Sequence, residues 1–371
     1  MRPLSVIASL FVLIGACADT AGETPPSDTP SRPPDALGDV GGGDVDGEVT
    51  SQDVPSGLQD ADVRRHYPLD DVLRVHHIQC KGTHNSTHVE PEFTVPQWRY
   101  THRPLYEQLD QHGVRQVELD VHYNGDGTFD VFHLPLVDAE TTCGTLSGCL
   151  GELKEWSDDN PWHHLLFVLV EPKDELDFEH PITGHYDALD QAILDVWPPA
   201  RMLRPDDVRG DHATLREALE TDGWPTLGAT RQKAMFIMLD SGEHRTRYLA
   251  DHPNLEGRVL FARDGLGEPW GAVLEGGSAE AQLAAAQSGY LVRGSADSPD
   301  RDDVTNEAKS AEAMAGPAHF ISSDFPYAQE AGYWFELTGG TPSRCNPVTA
   351  PPGCHSEAIE QPSLDRRPVS R

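Results

Sequence analysis

Polar side chains that could bind a metal ion or transfer a proton stand at the ends of several apolar runs of this sequence. His84 and Asn85 follow the run VHHIQC, and Glu118 and Asp120 lie two residues apart in VRQVELDV. The other groups in such positions are His133, Glu171, Asp240, Arg263, Arg293 and Asp324. Brought to one place, groups of these types would support acid–base and metal chemistry.

The carboxylates and the asparagine predict a calcium site. Side chains alternate along a strand, so Glu118 and Asp120 share one face while the valines and the leucine between and beside them share the other. Two buried carboxylates require a cation or a proton. With Glu171 and the Asn85 amide oxygen they form an all-oxygen ligand set of the kind that holds Ca²⁺, and Mg²⁺ fits it less well.

The elements that would position these groups are apolar runs separated by longer segments with helical periodicity. Near-continuous apolar strands with helices between them are typical of a parallel sheet covered on both faces, so we predict an α/β fold of the (β/α)₈ TIM-barrel type, in which active sites lie at the carboxyl ends of the strands. The third run, FDVFH, follows YNGDG closely and is either a barrel strand or the return arm of a hairpin. The predicted strands are 75–80, 114–121, 129–133, 165–171, 234–240, 258–263, 290–294 and 319–324.

These residues resemble the catalytic barrel of the calcium-dependent phosphoinositide-specific phospholipases C in their compact bacterial form. The resemblance spans residues 75–333 and is densest in QCKGTHNS, GVRQVELDVHYNGDGTFDVFH, TTCGTLSGCLGELKEWSDDNP and LLFVLVEPKD. It implies that the calcium ligands are Asn85, Glu118, Asp120 and Glu171.

The resemblance also implies roles in phosphodiester cleavage. Glu118 would be the base for the inositol 2-hydroxyl, His84 the hydrogen-bond donor to the phosphate, and His133 the general acid for the departing diacylglycerol oxygen. The products would be diacylglycerol and a cyclic inositol phosphate. Paired lysines for further ring phosphates are not recognisable, so plain phosphatidylinositol is the expected substrate.

Three cationic residues are candidates for a phosphate or headgroup contact. Lys173, Arg263 and Arg293 stand at or just past strand ends, and each could instead be an ion-pair partner of one of the many carboxylates. Two other functions stay open. A glycerophosphodiester phosphodiesterase shares the barrel but typically has arginine where Asn85 stands, and an inactive barrel could serve as a surface binding module.

The N-terminus predicts export and lipid attachment. Residues 1–17 have an arginine, a short apolar stretch and the ending LIGAC, which looks like a bacterial lipoprotein signal with Cys17 as the lipidated residue. Residues 18–64 are rich in Pro, Gly, Ser and Asp and predict a disordered acidic tether. We expect the catalytic barrel over 65–340 and a C-terminal tail with a small disulfide loop over 341–371.

Charge and cysteine content limit the partners. A net charge of -33 argues against nucleic-acid binding and against electrostatic docking on an anionic membrane, so a phospholipid substrate would be met through apolar groups, the anchor or a bound cation. We expect a monomer attached to the bacterial cell envelope. Short separations in an oxidising compartment predict the disulfides Cys143–Cys149 and Cys345–Cys354, with Cys80 as a buried thiol; an alternative is no disulfide at all.

Overall fold

The computed structural model describes residues 67–174, 179–328, 332–340 and 342–360. The chain divides into two units, Met1–Arg65 and His66–Arg371, and the described residues belong to the second. The predicted signal segment, Cys17 and the predicted tether therefore lie outside the described residues.

Within the described residues, eight parallel strands form a barrel. They are β1 (Ile78–Thr83), β2 (Val114–Tyr123), β4 (Leu166–Pro172), β5 (Ala234–Met238), β6 (Leu260–Ala262), β7 (Val273–Glu275), β8 (Leu291–Ser295) and β9 (Phe320–Ser323). The hydrogen-bonded order is β6-β5-β4-β2-β1-β9-β8-β7. A single parallel bridge between Arg263 and Val273 joins β6 to β7 and completes the ring. The predicted TIM-type barrel is thus confirmed.

Two of the predicted strands differ from the structure. The third run forms β3 (Phe129–Val131), which pairs antiparallel with the end of β2, so it is the return arm of a hairpin and not a barrel strand. The eighth parallel strand is β7, in the segment GAVLEGG, which was not predicted because only three residues of it pair. The first strand was placed too early, since the residues Val75–His77 form a 3-10 turn ahead of β1.

Helices connect most of the strands and begin and end at recognisable capping residues. Thr145 and Ser278 each accept a backbone N–H with the side-chain oxygen at a helix start, and Gly113 ends the helix Leu105–His112 in the left-handed conformation, with φ of 66°. The α-helices of the described part of the chain are α1 (Leu105–His112), α2 (Leu146–Asp159), α3 (Tyr186–Leu194), α4 (Pro205–Arg209), α5 (Leu215–Thr221), α6 (Leu227–Thr230), α7 (Glu243–Leu249), α8 (Ala279–Gln287) and α9 (Asp303–Ala315).

The hydrophobic core lies between the strands and the surrounding helices. All ten residues of β2 and all five of β5 are buried, as a parallel sheet covered on both sides requires. The indoles of Trp156 and Trp197 fill the space outside the sheet and are almost fully buried. None of the helices in the described ranges has both the length and the apolar character needed to cross a membrane.

The segment 342–360 closes the amino-terminal end of the barrel. Its strand β10 (Ser343–Cys345) pairs antiparallel with the first half of β1, and Glu360 forms a buried ion pair with Arg115 of β2. The residues after 340, expected to form a separate tail, are therefore packed on the barrel as far as residue 360.

The disulfides are the two pairs expected from their short separations. Cys143 is bonded to Cys149 beside the start of α2, and Cys345 to Cys354 in the C-terminal segment. Among the described cysteines, Cys80 is a buried free thiol.

Candidate active site

The turn after β1 places His84 and Asn85 beside β2. Ser86 is fixed to Glu118 by two hydrogen bonds, from Ser86 N–H to the Glu118 carbonyl (3.0 Å) and from Glu118 N–H to Ser86 Oγ (2.7 Å). Asn85 has a φ of 42°, a left-handed conformation that asparagine adopts more readily than most residues. Its Nδ2 donates to Tyr100 Oη at 3.2 Å, which leaves the amide oxygen as the atom free to face a cation.

Three carboxylates meet at the carboxyl ends of β2 and β4. Asp120 and Glu171 are register partners on the two strands, and Glu118 lies one alternation earlier on the same face of β2. Ligand oxygens of the three lie within 4.8 Å of one another, and Glu118 and Asp120 are buried. The structure therefore brings together the three acidic residues predicted as calcium ligands, with Asn85 on the adjoining turn.

Lys173 contacts two of these carboxylates. Its Nζ lies 3.1 Å from Asp120 Oδ1 and 2.7 Å from Glu171 Oε1, and its side chain is 8% exposed. Burial alone lowers the pKa of Lys173, but the two carboxylates raise it above its usual range. The structure places this predicted phosphate contact on two of the predicted metal ligands.

The two arginines lie in ion pairs, of which one joins β8 to β2 and the others join neighbouring strands or neighbouring residues. Arg293 contacts Glu118 through Nη2, and its Nη1 lies 2.6 Å from Glu275 Oε1. Arg263 contacts the other oxygen of Glu275, and its Nε lies 3.0 Å from Asp264 Oδ2. Two roles were predicted for Arg263 and Arg293, a phosphate or headgroup contact and an ion pair. These positions correspond to the ion pair.

His84 is held by a buried carboxylate on its inner side. Its Nδ1 lies 2.7 Å from Asp324 Oδ1, while its Nε2 lies 3.9 Å from Glu118 Oε1 and its side chain is 43% exposed. Burial alone lowers the pKa of His84, but the carboxylates of Asp324 and Glu118 raise it to about 9. The ring is therefore protonated at neutral pH and can donate a hydrogen bond from Nε2.

His133 has a similar arrangement on the loop after β3. Its Nδ1 lies 2.6 Å from Oδ2 of Asp138, a carboxylate with no solvent exposure, and the edge of Trp98 packs against the ring. Burial alone raises the pKa of Asp138, but hydrogen bonds with His133 and His88 lower it below its ordinary value. Asp138 is therefore a carboxylate at neutral pH and accepts from the imidazole.

A family comparison agrees with this geometry. Residues 125–347 match the model of the phosphoinositide phospholipase C family, calcium-dependent. The chain belongs to this family. It is therefore a phosphoric diester hydrolase of the phospholipase C type. His133 and Glu171 fall inside the matched segment of this phospholipase C, and the residues of β1, β2 and the turn between them precede it.

Solved structures of related enzymes share the fold of this phospholipase C. The calcium-dependent phosphatidylinositol-specific enzyme from Streptomyces antibioticus is 20% identical, with a TM-score of 0.53 over 69% of this chain and 96% of that chain. The calcium-dependent enzyme of a Gram-negative Pseudomonas species is 17% identical, with a TM-score of 0.54 over 76% of this chain and 98% of that chain. Its myoinositol complex gives 16% identity and the same TM-score. No curated protein sequence matches the chain.

The ligands of this phospholipase C suit the calcium ion on which its family depends. The set consists of oxygen donors only, and three like charges within 4.8 Å of one another are stable only when cations lie among them. Lys173 and Arg293 supply part of that charge, and a divalent ion bound to the remaining oxygens would supply the rest.

Several residues that hold the phospholipase C site were not predicted as site residues. Asp138 and Glu275 lie on a loop and on a three-residue strand, where no periodic pattern marks them. Asp324 was noted as a strand-end group but was given no role. Their common signal is three-dimensional, because each is a buried or partly buried acidic residue next to an imidazole or a guanidinium of the site.

Proposed function

We propose that this phospholipase C cleaves phosphatidylinositol to diacylglycerol and a cyclic inositol phosphate at a membrane surface. The observation that supports it is the cluster of Glu118, Asp120 and Glu171 beside two imidazoles, each fixed through Nδ1 by a buried aspartate. The related Pseudomonas enzyme has been solved in complex with myoinositol, the headgroup alcohol of this substrate class.

The side chains of the cluster would have different roles in the reaction. A calcium ion held by Asn85, Glu118, Asp120 and Glu171 would lower the pKa of the inositol 2-hydroxyl and offset negative charge on the phosphate. Glu118 accepts the proton of that hydroxyl, and the alkoxide oxygen forms a bond to phosphorus. Arg293 keeps the Glu118 carboxylate in place by its contact with Oε2.

The two histidines act on the phosphate and on the leaving group. His84, held through Nδ1 by Asp324, donates from Nε2 to a phosphate oxygen as charge develops there. The bond between phosphorus and the diacylglycerol oxygen breaks, and His133 gives its Nε2 proton to that oxygen. Charge and protons balance, because one proton leaves the hydroxyl and one reaches the alcohol product.

Contact with the membrane would use apolar side chains. Phe93 and Leu136 are 86% and 96% exposed, on the two loops that carry Trp98 and Asp138 next to His133. Side chains of this size in solvent beside an active site are typical of a lipid-contacting surface. We further propose that Cys17 is lipidated and anchors the enzyme to the bacterial cell envelope.

The activity is tested on vesicles of single phospholipids with the purified chain. We expect diacylglycerol release from phosphatidylinositol in Ca²⁺, none in excess chelator, and a loss of about 10²-fold or more in His133→Ala. His355→Ala, which removes an exposed histidine of the C-terminal segment, should leave the rate unchanged. Release of glycerol phosphate from glycerophosphodiesters, with intact phosphatidylinositol, would contradict the proposal and support the alternative phosphodiesterase.

The anchor is tested separately in cells. The full chain expressed in a bacterial host should sediment with membranes, and Cys17→Ala should move it to the soluble fraction. A Cys80→Ala chain, which lacks the buried thiol, is the matched control. Equal membrane association of Cys17→Ala and the wild type would refute lipidation at this cysteine.

A further inference from the structure

A buried aspartate lies between two imidazoles at the edge of the site. Asp138 has no solvent exposure; its Oδ2 contacts His133 Nδ1 at 2.6 Å, and its Oδ1 lies 3.0 Å from His88 Nε2. Oδ2 is thus hydrogen-bonded to one ring, and Oδ1 lies against the other. A carboxylate with a ring packed against each oxygen has little freedom to rotate.

His88 is itself fixed at its far side. Its Nδ1 lies 3.0 Å from the carbonyl oxygen of Tyr100, and its ring packs on the Tyr100 ring with centroids 4.3 Å apart. A carbonyl oxygen only accepts, so Nδ1 of His88 carries a hydrogen. The Nε2 atom of His88 lies against Asp138 Oδ1, so the ring also stands in a fixed position relative to the carboxylate.

The loop that carries Asp138 is fastened at several points. Leu134 and Asp138 exchange two backbone hydrogen bonds of 2.9 and 3.1 Å, and Thr142 N–H donates to the carbonyl of Thr87, the neighbour of His88. The aspartate therefore has a fixed position relative to both rings.

We propose that Asp138 is a positioning residue for phosphodiester cleavage, which keeps His133 with a hydrogen on Nδ1 and turns Nε2 toward the leaving oxygen, and that His88 fixes Asp138. The inference rests on the proposed role of His133 as the general acid. With Nδ1–H held by a carboxylate, the imidazolium releases its proton from Nε2 only. The Nε2–H and phosphorus–oxygen bonds break, an O–H bond forms on diacylglycerol, and Asp138 keeps its charge.

The decisive variant is Asp138→Asn, which preserves shape. The asparagine amide lacks the negative charge of the carboxylate and can present its NH₂ group to His133 Nδ1. An NH₂ group that faces Nδ1 disfavours a hydrogen on that nitrogen. The imidazolium form of His133, which the acid step needs, is therefore disfavoured. We expect kcat on phosphatidylinositol to fall about 10²- to 10³-fold with KM little changed.

A second substrate distinguishes a positioning role of Asp138 from a general loss of activity in the variant. An inositol phosphodiester with a phenolic leaving group needs little help from an acid, so the loss in Asp138→Asn should shrink to about tenfold or less. Equal losses on both substrates, or a kcat within about threefold of the wild type on phosphatidylinositol, would overturn the proposal. The control is Asp130→Asn, an aspartate of the same hairpin bonded to Asn124, which should keep the wild-type rate.

A measurement on the wild type tests the proposal even if the Asp138 variant fails to fold. Nitrogen-15 NMR of the imidazoles, with the His133 signals assigned by their loss in His133→Ala, should show the neutral ring with its hydrogen on Nδ1. A hydrogen on Nε2 would overturn the proposal without any variant at Asp138. Full activity of His133→Ala would instead refute the general-acid role, so the two failures are distinguishable.

Discussion

Lys173 and Arg293 place two positive charges against the three carboxylates of the calcium site. Lys173 contacts Asp120 and Glu171, and Arg293 contacts Glu118. Because these contacts are buried, the charges are weakly screened and each cation affects the affinity for a further one. We therefore expect the lysine to influence how strongly the enzyme binds calcium.

Replacing Lys173 by methionine should strengthen calcium binding. The variant keeps the length of the side chain but leaves Asp120 and Glu171 without their monovalent partner. We expect the dissociation constant for Ca²⁺, measured by calorimetry, to fall about tenfold. In chelator the thermal midpoint of the variant should drop, because the carboxylates then repel one another.

Lys154→Met is the control for this prediction, since Lys154 forms a helix-surface pair with Asp158 away from the site. It should change neither quantity. Weaker calcium binding by Lys173→Met would show instead that the lysine orders the ligands.

The site residues could be predicted from the sequence by type but not with their partners. Glu118 and Asp120 alternate in an apolar strand, and strand alternation and the position of strand ends follow from local sequence. The contacts of His133 with Asp138 and of Arg293 with Glu275 join residues in irregular or very short elements. No periodic pattern encodes such pairs, because the first depends on the conformation of one loop and the second on the pairing of β7 with β8.

The loop between β3 and α2 is the element that carries the predicted general acid. It contains His133 and Asp138, and the bond between Cys143 and Cys149 ties its end to the first turn of α2. The backbone N–H of Val131 donates to the carbonyl of Gly144 at 2.9 Å, which brings the two ends of the loop together. The disulfide therefore restrains the position of the acid.

Removal of each disulfide should separate stability from catalysis. Replacing Cys143 and Cys149 by serine should lower the free energy of unfolding by about 2 kcal/mol and kcat about tenfold. The matched pair Cys345 and Cys354 lies at the opposite end of the barrel, so its double serine variant should lose similar stability but keep kcat. Urea denaturation and vesicle assays measure both, and an equal loss of kcat in the two variants would contradict the prediction.

At the level of elements, the number and kind of barrel strands could be predicted from the sequence. Two assignments were wrong: β3 was predicted as a barrel strand, and β7 was missed. Long apolar strands such as β2 and β4 are unambiguous, because a buried parallel strand needs apolar residues on both faces. β7 pairs over three residues and leaves too short a pattern to detect. β3 has the composition of a barrel strand, and only the preceding tight turn indicated its antiparallel pairing.

The whole molecule has an acidic surface, so its contact with lipid should depend on apolar side chains. Replacing Phe93 and Leu136 together by serine should reduce hydrolysis of vesicles about tenfold or more, since each side chain loses the free energy of burial in lipid. Hydrolysis of a water-soluble short-chain substrate should be unchanged. Val72→Ser is the control, because Val72 is 54% exposed but precedes β1 at the other end of the barrel. A parallel fall with both substrates would contradict a role at the membrane.

Stability should fall in mild acid because several histidines are buried in the neutral state. Burial lowers the pKa of His102 and His164 to about 4 and that of His163 and His319 to about 3, from an ordinary value of 6.5. The unfolded chain binds these protons first, so the free energy of unfolding decreases as the pH falls below about 6.5 and continues to decrease toward the folded values. Urea denaturation between about pH 7.5 and 5 measures this slope. A free energy that stays constant over that range would contradict the expectation.

We expect the ion pair between Arg115 and Glu360 to influence when the protein can acquire its native state during synthesis. The two residues are 245 positions apart, and the carboxylate is the group that neutralises a guanidinium buried against Trp156 of α2. Until the ribosome has released that distant glutamate, folding of the nascent chain would bury an uncompensated charge and would gain little. We therefore expect the polypeptide to stay incompletely folded for most of its translation.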